Sequence, residues 1–372
     1  QFRPVRKRKL QLYNAYLMTI DKNILAQEAL GLLKQLISIP SLSEEEDKTG
    51  DAIETWLEKF GVKTQRQHNN IYAFNKYYDE NKPNLLLNSH HDTVKPNSAY
   101  TKNPFHPHIE AGKLYGLGSN DAGGALCSLL ATFVHFYKRE NLSHNIIMAA
   151  TAEEEDAGAK SLSALLPILP EIHVAIVGEP TEMQLAIAEK GLVVYDGKIL
   201  GTPSHAAHPN EDSAIYKTSE VLDWFKNYQF EKVSDVLGPV KITVTQISAG
   251  SQHNVVPAHV DLVIDTRVND CYTNKEVNEI LQKKAPCELI PRSLNKDSSS
   301  IAIDHPLVQS GLALGRTTYG SPTLSDQAKL SCQSLKLGPG YSPRSHSADE
   351  FIYVKEVEEA VGLYIDILEG FL

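Results

Sequence analysis

The run Leu85-Leu86-Leu87-Asn88-Ser89-His90-His91-Asp92-Thr93-Val94 constrains this chain more than any other stretch. Three consecutive leucines suit a strand covered on both faces, and in open α/β sheets such strands deliver ligand-binding groups at their C-terminal ends. His90 and Asp92 lie two apart, so on an extended strand they leave from one face while His91 leaves from the other. That spacing suits a metal-ligating imidazole whose second ring nitrogen is held by a carboxylate. His-x-Asp is too short to carry a metal site alone; further ligands must come from elsewhere in the chain.

Upstream, Leu25, Ala29, Leu32, Leu33 and Leu36 recur at helical spacing and predict a helix over 24–37, stopped by Pro40. Ser43 and Glu46 predict a capping box for a second helix, which carries Ile53, Trp56, Leu57 and Phe60 on one face and ends at Gly61. Strands are expected around 61–65, 71–75 and 84–88. Downstream, Tyr115-Gly116-Leu117-Gly118-Ser119-Asn120-Asp121-Ala122-Gly123-Gly124 is a glycine-rich turn leading into an apolar helix over 125–136, with Asp121 at the helix start, where an N-cap is its simplest use. It has neither the spacing nor the lysine of a phosphate-binding P-loop.

Two more apolar strands end in acid. One, over 145–150, runs into Thr151-Ala152-Glu153-Glu154-Glu155-Asp156, and the other, over 174–177, into Gly178-Glu179-Pro180-Thr181. Consecutive carboxylates usually mark a solvated face, but directly after buried strands of one sheet they project into the crevice that His90 enters. A late loop, Ser345-His346-Ser347-Ala348-Asp349-Glu350, precedes a closing helix through Val357, Ala360, Val361, Tyr364 and Leu368.

Between 192 and 291 the pattern changes to strand 192–200, helix 213–228, strands 240–247 and 260–268, helix 274–284 opened by Thr273 and Glu276, and strand 287–291. The order β-α-β-β-α-β is the ferredoxin-like arrangement. The reading is a mixed-sheet α/β domain in two pieces, 18–184 and 297–372, with a second domain at 185–296 inserted between them. Residues 1–17, basic and without an initiating methionine, are set aside as a disordered arm or a stretch foreign to the fold.

A chain of 372 residues exceeds one ordinary core. Its net charge of -10, with dispersed cations after the first residues, argues against nucleic acid or an anionic membrane as partner. No apolar run approaches the roughly 18 residues of a membrane span. Cys127, Cys271, Cys287 and Cys332 are scattered without Cys-x-x-Cys spacing, which reads as reduced thiols of a cytoplasmic protein that are not metal ligands.

The ligands His90, Asp121, Glu155, Glu179 and His346 form a nitrogen and oxygen set without thiolate, which zinc fits best and cobalt or manganese can also occupy. Five are too many for one catalytic ion with an open position, and suit two ions about 3.5–4 Å apart that share a carboxylate.

These residues resemble those of the M20 metallopeptidase family, in particular its acetylornithine deacetylase and succinyl-diaminopimelate desuccinylase branch. The resemblance runs in family order through Ser-His-x-Asp-x-Val at 89–94, the turn to Asp121, Glu-Glu at 154–155, Gly-Glu-Pro-Thr at 178–181, Ser-His-Ala-Ala-His-Pro at 204–209, Asn-Val-Val-Pro at 254–257 and Ser-His-Ser-Ala-Asp-Glu at 345–350. It implies a di-zinc hydrolase with an inserted lid and dimerisation domain. Asp121 would bridge the ions, with His90 and Glu179 on one and Glu155 and His346 on the other. Asp92 would orient His90, and the peptide after Asp121 would be cis.

Glu154 would be the general base that takes a proton from the attacking water and passes it to the leaving amine. Three adjacent glutamates leave that register open by one residue; the family's Asp-Glu-Glu, with its first acid at Glu153, selects Glu154 and Glu155. His205 would be the lid histidine that serves the partner subunit of a homodimer, and Asn254 and Arg267 resemble contacts to the substrate carboxylate or carbonyl. Departures from the family pattern fall at Leu117, where Arg is common, at Gly123, where Lys is common, and at His91, usually a small polar residue. The implied reaction is hydrolysis of a small N-acyl amino acid, with N-acetylornithine favoured and arginine biosynthesis its setting. The alternatives are a desuccinylase acting on succinyl-ornithine or succinyl-diaminopimelate, a dipeptidase, or, from another class, a catalytically silent metal-binding protein.

Overall fold

The structure, a computed structural model, describes residues 21–372; the basic arm lies outside the described residues. Two compact units divide the chain. One runs to Ile187 and takes in Ile301–Thr318 and Ser325–Leu372; the other comprises Ala188–Ser300 with Tyr319–Leu324.

The first unit is built on a mixed sheet. Its order is Gln65–Gln67, Asn70–Phe74, Asn145–Thr151, Asn84–His90, Val174–Val177, Gln333–Lys336 and then Leu185–Glu189, the strand in which the chain leaves the unit. Four central strands are parallel, with His90 level with Thr151 and Asn88 level with Val177. Their carboxyl ends therefore share one edge. The triple-leucine strand is buried throughout. Leu85 and Leu87 join the larger core beneath the helices Lys22–Ile37, Gly124–Phe136 and Val354–Glu369, whereas Leu86 joins a smaller core with Tyr72, Ile147, Leu162 and Ala175. Strand alternation divides neighbouring leucines between the two faces.

Several local expectations are corrected. No strand covers 61–64: Gly61 turns the chain at a φ of +73°, and pairing begins only with Gln65 opposite Tyr72. The Ser43–Glu46 capping box does not form. The second helix is Asp47–Lys59, and Ser43 Oγ donates to Asp92 Oδ2 at 2.8 Å. Glu46 accepts from the backbone N–H groups of Glu44 and Glu153 and from Asn69 Nδ2, because its burial leaves no solvent to satisfy the carboxylate. The glycine-rich turn makes a tight loop over Ser119–Gly123, and the following helix starts at Gly124, so Asp121 is an extended residue before the helix and not its cap. Gly118, at a φ of +75°, has Thr93 Cγ2 2.6 Å from where a Cβ would stand. The Asp121–Ala122 peptide is cis, as the resemblance implies.

The second unit is a four-stranded antiparallel sheet in the order Lys241–Ala249, His259–Val268, Gly191–Leu200, Glu288–Pro291. Numbered along the chain this is 2-3-1-4, the ferredoxin-like order. Alternate residues of Gly191–Leu200 are buried, and Val193, Tyr195 and Ile199 share a core with Val221 and Phe225 of the helix Ala214–Asn227 and with Val277 and Leu281 of the helix Asn274–Lys284. Thr273 and Glu276 cap the latter reciprocally. Unlike the sequence reading, which assigned everything after 297 to the first domain, the structure places Tyr319–Leu324 in the second unit. There Lys190 N donates to Ser321 O, and Gly320 lies against Val236 and Leu237. Ser299 and Ser300 pair with Glu189 and Ala188, which carries the same unit to Ser300.

Candidate metal centre

The common edge of the parallel strands gathers the acidic and imidazole groups of the first unit. His90 is the last residue of its strand, the three glutamates follow Thr151, and Glu179 follows Val177 by two. Asp121 comes from the glycine-rich turn and His346 from the late loop, where it holds a φ of +58°.

His90 Nε2 lies 3.4 Å from Asp121 Oδ1 and 3.8 Å from Glu179 Oε1. His346 Nε2 lies 3.5 Å from Asp121 Oδ2, and 3.0 Å from Glu155 Oε2. Asp121 thus presents one carboxylate oxygen to each imidazole. One donor atom each from His90, Asp121 and Glu155 can be chosen within 4.8 Å of one another.

His90 Nδ1 meets the Asp92 carbonyl oxygen at 3.0 Å and Asp92 Oδ1 at 3.4 Å, so main chain and carboxylate both hold the ring. Both atoms can only accept, which puts the proton on Nδ1 and turns the Nε2 lone pair toward the carboxylates of Asp121 and Glu179. Carboxylates facing that nitrogen across 3.4–3.8 Å call for positive charge between them, supplied by a proton on Nε2 or by a metal ion in its place. Two metal bonds of about 2.0–2.2 Å at a tetrahedral angle separate neighbouring donors by about 3.3–3.6 Å. Nitrogen and oxygen donors at such spacings fit zinc, cobalt or manganese.

The electrostatics report the same crowding. Burial disfavours the His90 imidazolium, but the carboxylates of Asp121 and Asp92 outweigh it and hold the group well above its ordinary value. Glu179 is pushed well up by burial and by Asp121. Glu154 rises to about 8 through burial, with Asp326 and Glu155 adding to it against the pull of His90. The hydrogen bond that His346 Nε2 donates to the Glu155 carboxylate raises the imidazole to about 9. Asp92 stays well below the carboxylate range despite its burial, held by His90, Ser43 and the backbone N–H of Glu154.

The three consecutive glutamates diverge. Glu153, at a φ of +51°, turns its carboxylate onto the backbone N–H of Lys160 at 2.9 Å, with Lys160 Nζ at 3.6 Å. Glu155 meets His346. Glu154 is half-buried among charges of the centre, and its N–H, like that of Glu155, is bound by the Asp92 carboxylate at 3.1 Å. One carboxylate therefore holds both the imidazole and the acidic turn.

Sequence reasoning missed two groups beside this centre. Glu46, read as a cap, ties down the Glu153 backbone. Asp326 is buried, accepts from the Thr151 hydroxyl at 3.0 Å and pairs with Lys329 Nζ at 2.8 Å. Nothing in the Ser325-Asp326-Gln327 stretch marks it as different from any other loop acid.

His205, Asn254 and Arg267 belong to the second unit. Ser204–His205 pairs with Val255–Val256 as a short ribbon, Ala206 N donates to Asn254 O, and His205 Nδ1 accepts from Ala207 N. His205 and Asn254 are exposed. Arg267 forms a two-pronged pair with Asp265 at 2.8 and 3.0 Å.

The model of peptidase family M20/M25/M40 matches residues 86–370. Over 92% of this chain and 99% of its own length, succinyl-diaminopimelate desuccinylase of Helicobacter pylori is 26% identical. Acetylornithine deacetylase of Proteus mirabilis is 27% identical over 94% of this chain and 98% of its own. In fold the chain is similar to the Bacillus subtilis YXEP protein, described as a dinuclear metal binding peptidase, with a TM-score of 0.72 at 14% identity over 93% of this chain and 98% of that one.

Proposed function

Since the chain belongs to peptidase family M20/M25/M40, and is an amidohydrolase of that family, we propose that it hydrolyses the amide of an N-acyl diamino acid, with N-acetylornithine its favoured substrate. The observation that carries this reading is the two-sided presentation of Asp121, one oxygen 3.4 Å from His90 Nε2 and the other 3.5 Å from His346 Nε2. In this reading two zinc ions are held, one by His90, Asp121 and Glu179 and the other by Asp121, Glu155 and His346, with cobalt or manganese as substitutes. When bound, they supply Lewis acidity to the amide carbonyl and lower the pKa of the attacking water.

The remaining work falls to the chain's own side chains. Glu154 accepts a proton from water as the water oxygen bonds to the acyl carbon. The carbon–nitrogen bond then breaks, and Glu154 returns the proton to the departing nitrogen, giving a carboxylic acid and a free amine. The raised proton affinity of Glu154 favours the first half of that exchange, taking the proton from water. Asp92 keeps the His90 ring in one tautomer and sets the backbone from which Glu154 and Glu155 project.

A succinyl substituent carries a carboxylate that calls for a free cation. Arg344, a candidate for that role, is spoken for: its Nη1 bonds Glu356 at 2.7 Å and its guanidinium lies over Phe351 and Tyr353. This removes Arg344 from the three candidate cations, so a succinyl carboxylate would have to rely on Lys190, whose Nζ bonds the Pro239 carbonyl oxygen, or on Arg316. Similarity to the desuccinylase at almost the same identity supports the second reading, a succinylated diamino acid. Amine release from acetyl-ornithine, succinyl-ornithine and succinyl-diaminopimelate, measured after chelation and after adding back zinc or cobalt, decides between them. The acetyl substrate should turn over fastest, and only with metal restored; full activity in the metal-free protein would end the proposal.

A further inference from the structure

His90 and His346 are held by different means. The His90 side chain is 1% exposed and sits at the end of a central strand, where packing immobilises it. The His346 side chain is 54% exposed and stands on a loop outside the sheet, so packing cannot fix its distance to Asp121. Its own φ of +58° and that of Asp349, +53°, are conformations that L side chains rarely adopt and that surrounding contacts must enforce.

Asp349 is held by the backbone N–H groups of Thr101 and Lys102 at 2.9 and 2.8 Å, and the tie to the turn that bears Asp121 is made by Glu350. Its side chain is almost wholly buried, and its carboxylate accepts the backbone N–H groups of Asn120 at 2.8 Å, Asp121 at 3.0 Å and Gly118 at 3.3 Å. A second tie runs the other way: Asn120 Oδ1 accepts from Tyr341 N at 3.0 Å, and its Nδ2 donates to Tyr341 O and Ser345 Oγ. Gly340, at a φ of +92°, allows this approach, for a Cβ there would lie 2.5 Å from Asn120 Oδ1. The loop bearing His346 and the turn bearing Asp121, more than two hundred residues apart in sequence, are thus pinned on either side of His346.

We infer that Glu350 is a positioning residue, which sets the separation of Asp121 and His346 and with it the affinity of the ion held by Asp121, Glu155 and His346. This rests on the two-ion reading above. The ion held by His90, Asp121 and Glu179 depends less on it, because His90 and Glu179 stand on strand ends. Glu350→Ala removes all three acceptor contacts. Glu350→Gln keeps one carbonyl, able to serve Asn120 and Asp121, but turns an NH2 group toward the Gly118 N–H.

The test is stepwise zinc binding to metal-free protein, read by competition with a chromophoric chelator, alongside the visible spectrum of the cobalt-loaded protein and circular dichroism of the metal-free forms. Wild type should bind two ions. Glu350→Ala should bind the first ion with at most a few-fold loss and the second about 10–100-fold more weakly, the usual effect of removing a group that orients a metal ligand, with Glu350→Gln intermediate and the cobalt spectrum of the second ion altered. Should Glu350→Ala fail to fold, Glu350→Gln and Asn120→Asp, which loses both Nδ2 donor contacts, carry the same expectation. Two ions bound with unchanged affinities in the folded variants, or both ions weakened equally, would overturn the inference while leaving the two-ion reading intact. A wild-type chain that binds fewer than two ions would overturn both.

Discussion

Replacing Glu153, Glu154 and Glu155 by glutamine one at a time should give three different phenotypes, because the three carboxylates have different partners. Glu154→Gln removes a proton acceptor and leaves the proposed ligands untouched. General-base assistance contributes about 10²–10⁴ in rate, so kcat should fall by that factor, about 3–5 kcal/mol in barrier, with two ions still bound. Stability should not suffer, since the substitution removes a negative charge that stands beside those of Asp326 and Glu155. Glu153→Gln weakens a bond to Lys160 N and a 3.6 Å pair with Lys160 Nζ, which is itself half exposed. The cost should be about 1–2 kcal/mol of stability with turnover changed by no more than a few-fold. Glu155→Gln takes away the anion 3.0 Å from His346 Nε2, and should weaken one of the two ions while sparing the other. The assay is kcat on acetyl-ornithine with metal content and denaturant midpoint measured on the same preparations. If Glu153→Gln shows the large kcat loss and Glu154→Gln is near wild type, the assignment of the base and the geometric argument behind it are wrong.

Asp92→Asn should lower metal affinity or turnover about 10–100-fold, because an amide cannot accept from Ser43, His90 and two backbone N–H groups at once; chelator competition would show no change if Asp92 were merely a surface acid. Gly123→Lys should destabilise by about 1–3 kcal/mol in urea titration, since a Cβ there would stand 2.4 Å from the Gly118 carbonyl oxygen. Co-expressed Glu154→Ala and His205→Ala chains, isolated as a mixed dimer, should recover up to about half of wild-type activity if His205 serves the partner subunit; a mixed dimer as inactive as its parents would assign His205 to its own chain.

The parts of this protein that sequence made legible are those in which one residue type at one spacing has one physical use. Leu85–Leu87, Ile146–Met148 and Val174–Val177 could only be strands buried on both faces, and the groups that follow them had to share an edge once the strands were parallel. The capping box of Thr273 and Glu276 was equally readable, because both partners are local. Ser43 and Glu46 present the same spacing and were misread. Their partners, Asp92 and the Glu153 backbone, lie 49 and 107 residues away, and a local rule has no access to them. Asp326 was invisible for the same reason, its value coming from Thr151 and Lys329 and not from its neighbours in sequence.

Strand parity also settles what His91 does. Leaving the strand on the face opposite His90, the ring is buried with Nε2 2.9 Å from the Asn69 carbonyl oxygen and Nδ1 2.9 Å from the Thr49 hydroxyl. A carbonyl oxygen only accepts, so Nε2 carries the proton, and Nδ1 shares the one Thr49 hydroxyl proton with the Glu46 carbonyl oxygen 3.0 Å from that hydroxyl. Burial depresses the group to about 4, which keeps the ring neutral near pH 7 and commits both nitrogens to the protein. Thr49 belongs to the Asp47–Lys59 helix and Asn69 to the turn before Asn70–Phe74, so His91 fastens both to the end of the strand that delivers His90. An imidazole beside a ligand is in this case a brace behind the centre, and the histidine whose lone pair is left for a cation is the one that parity points the other way.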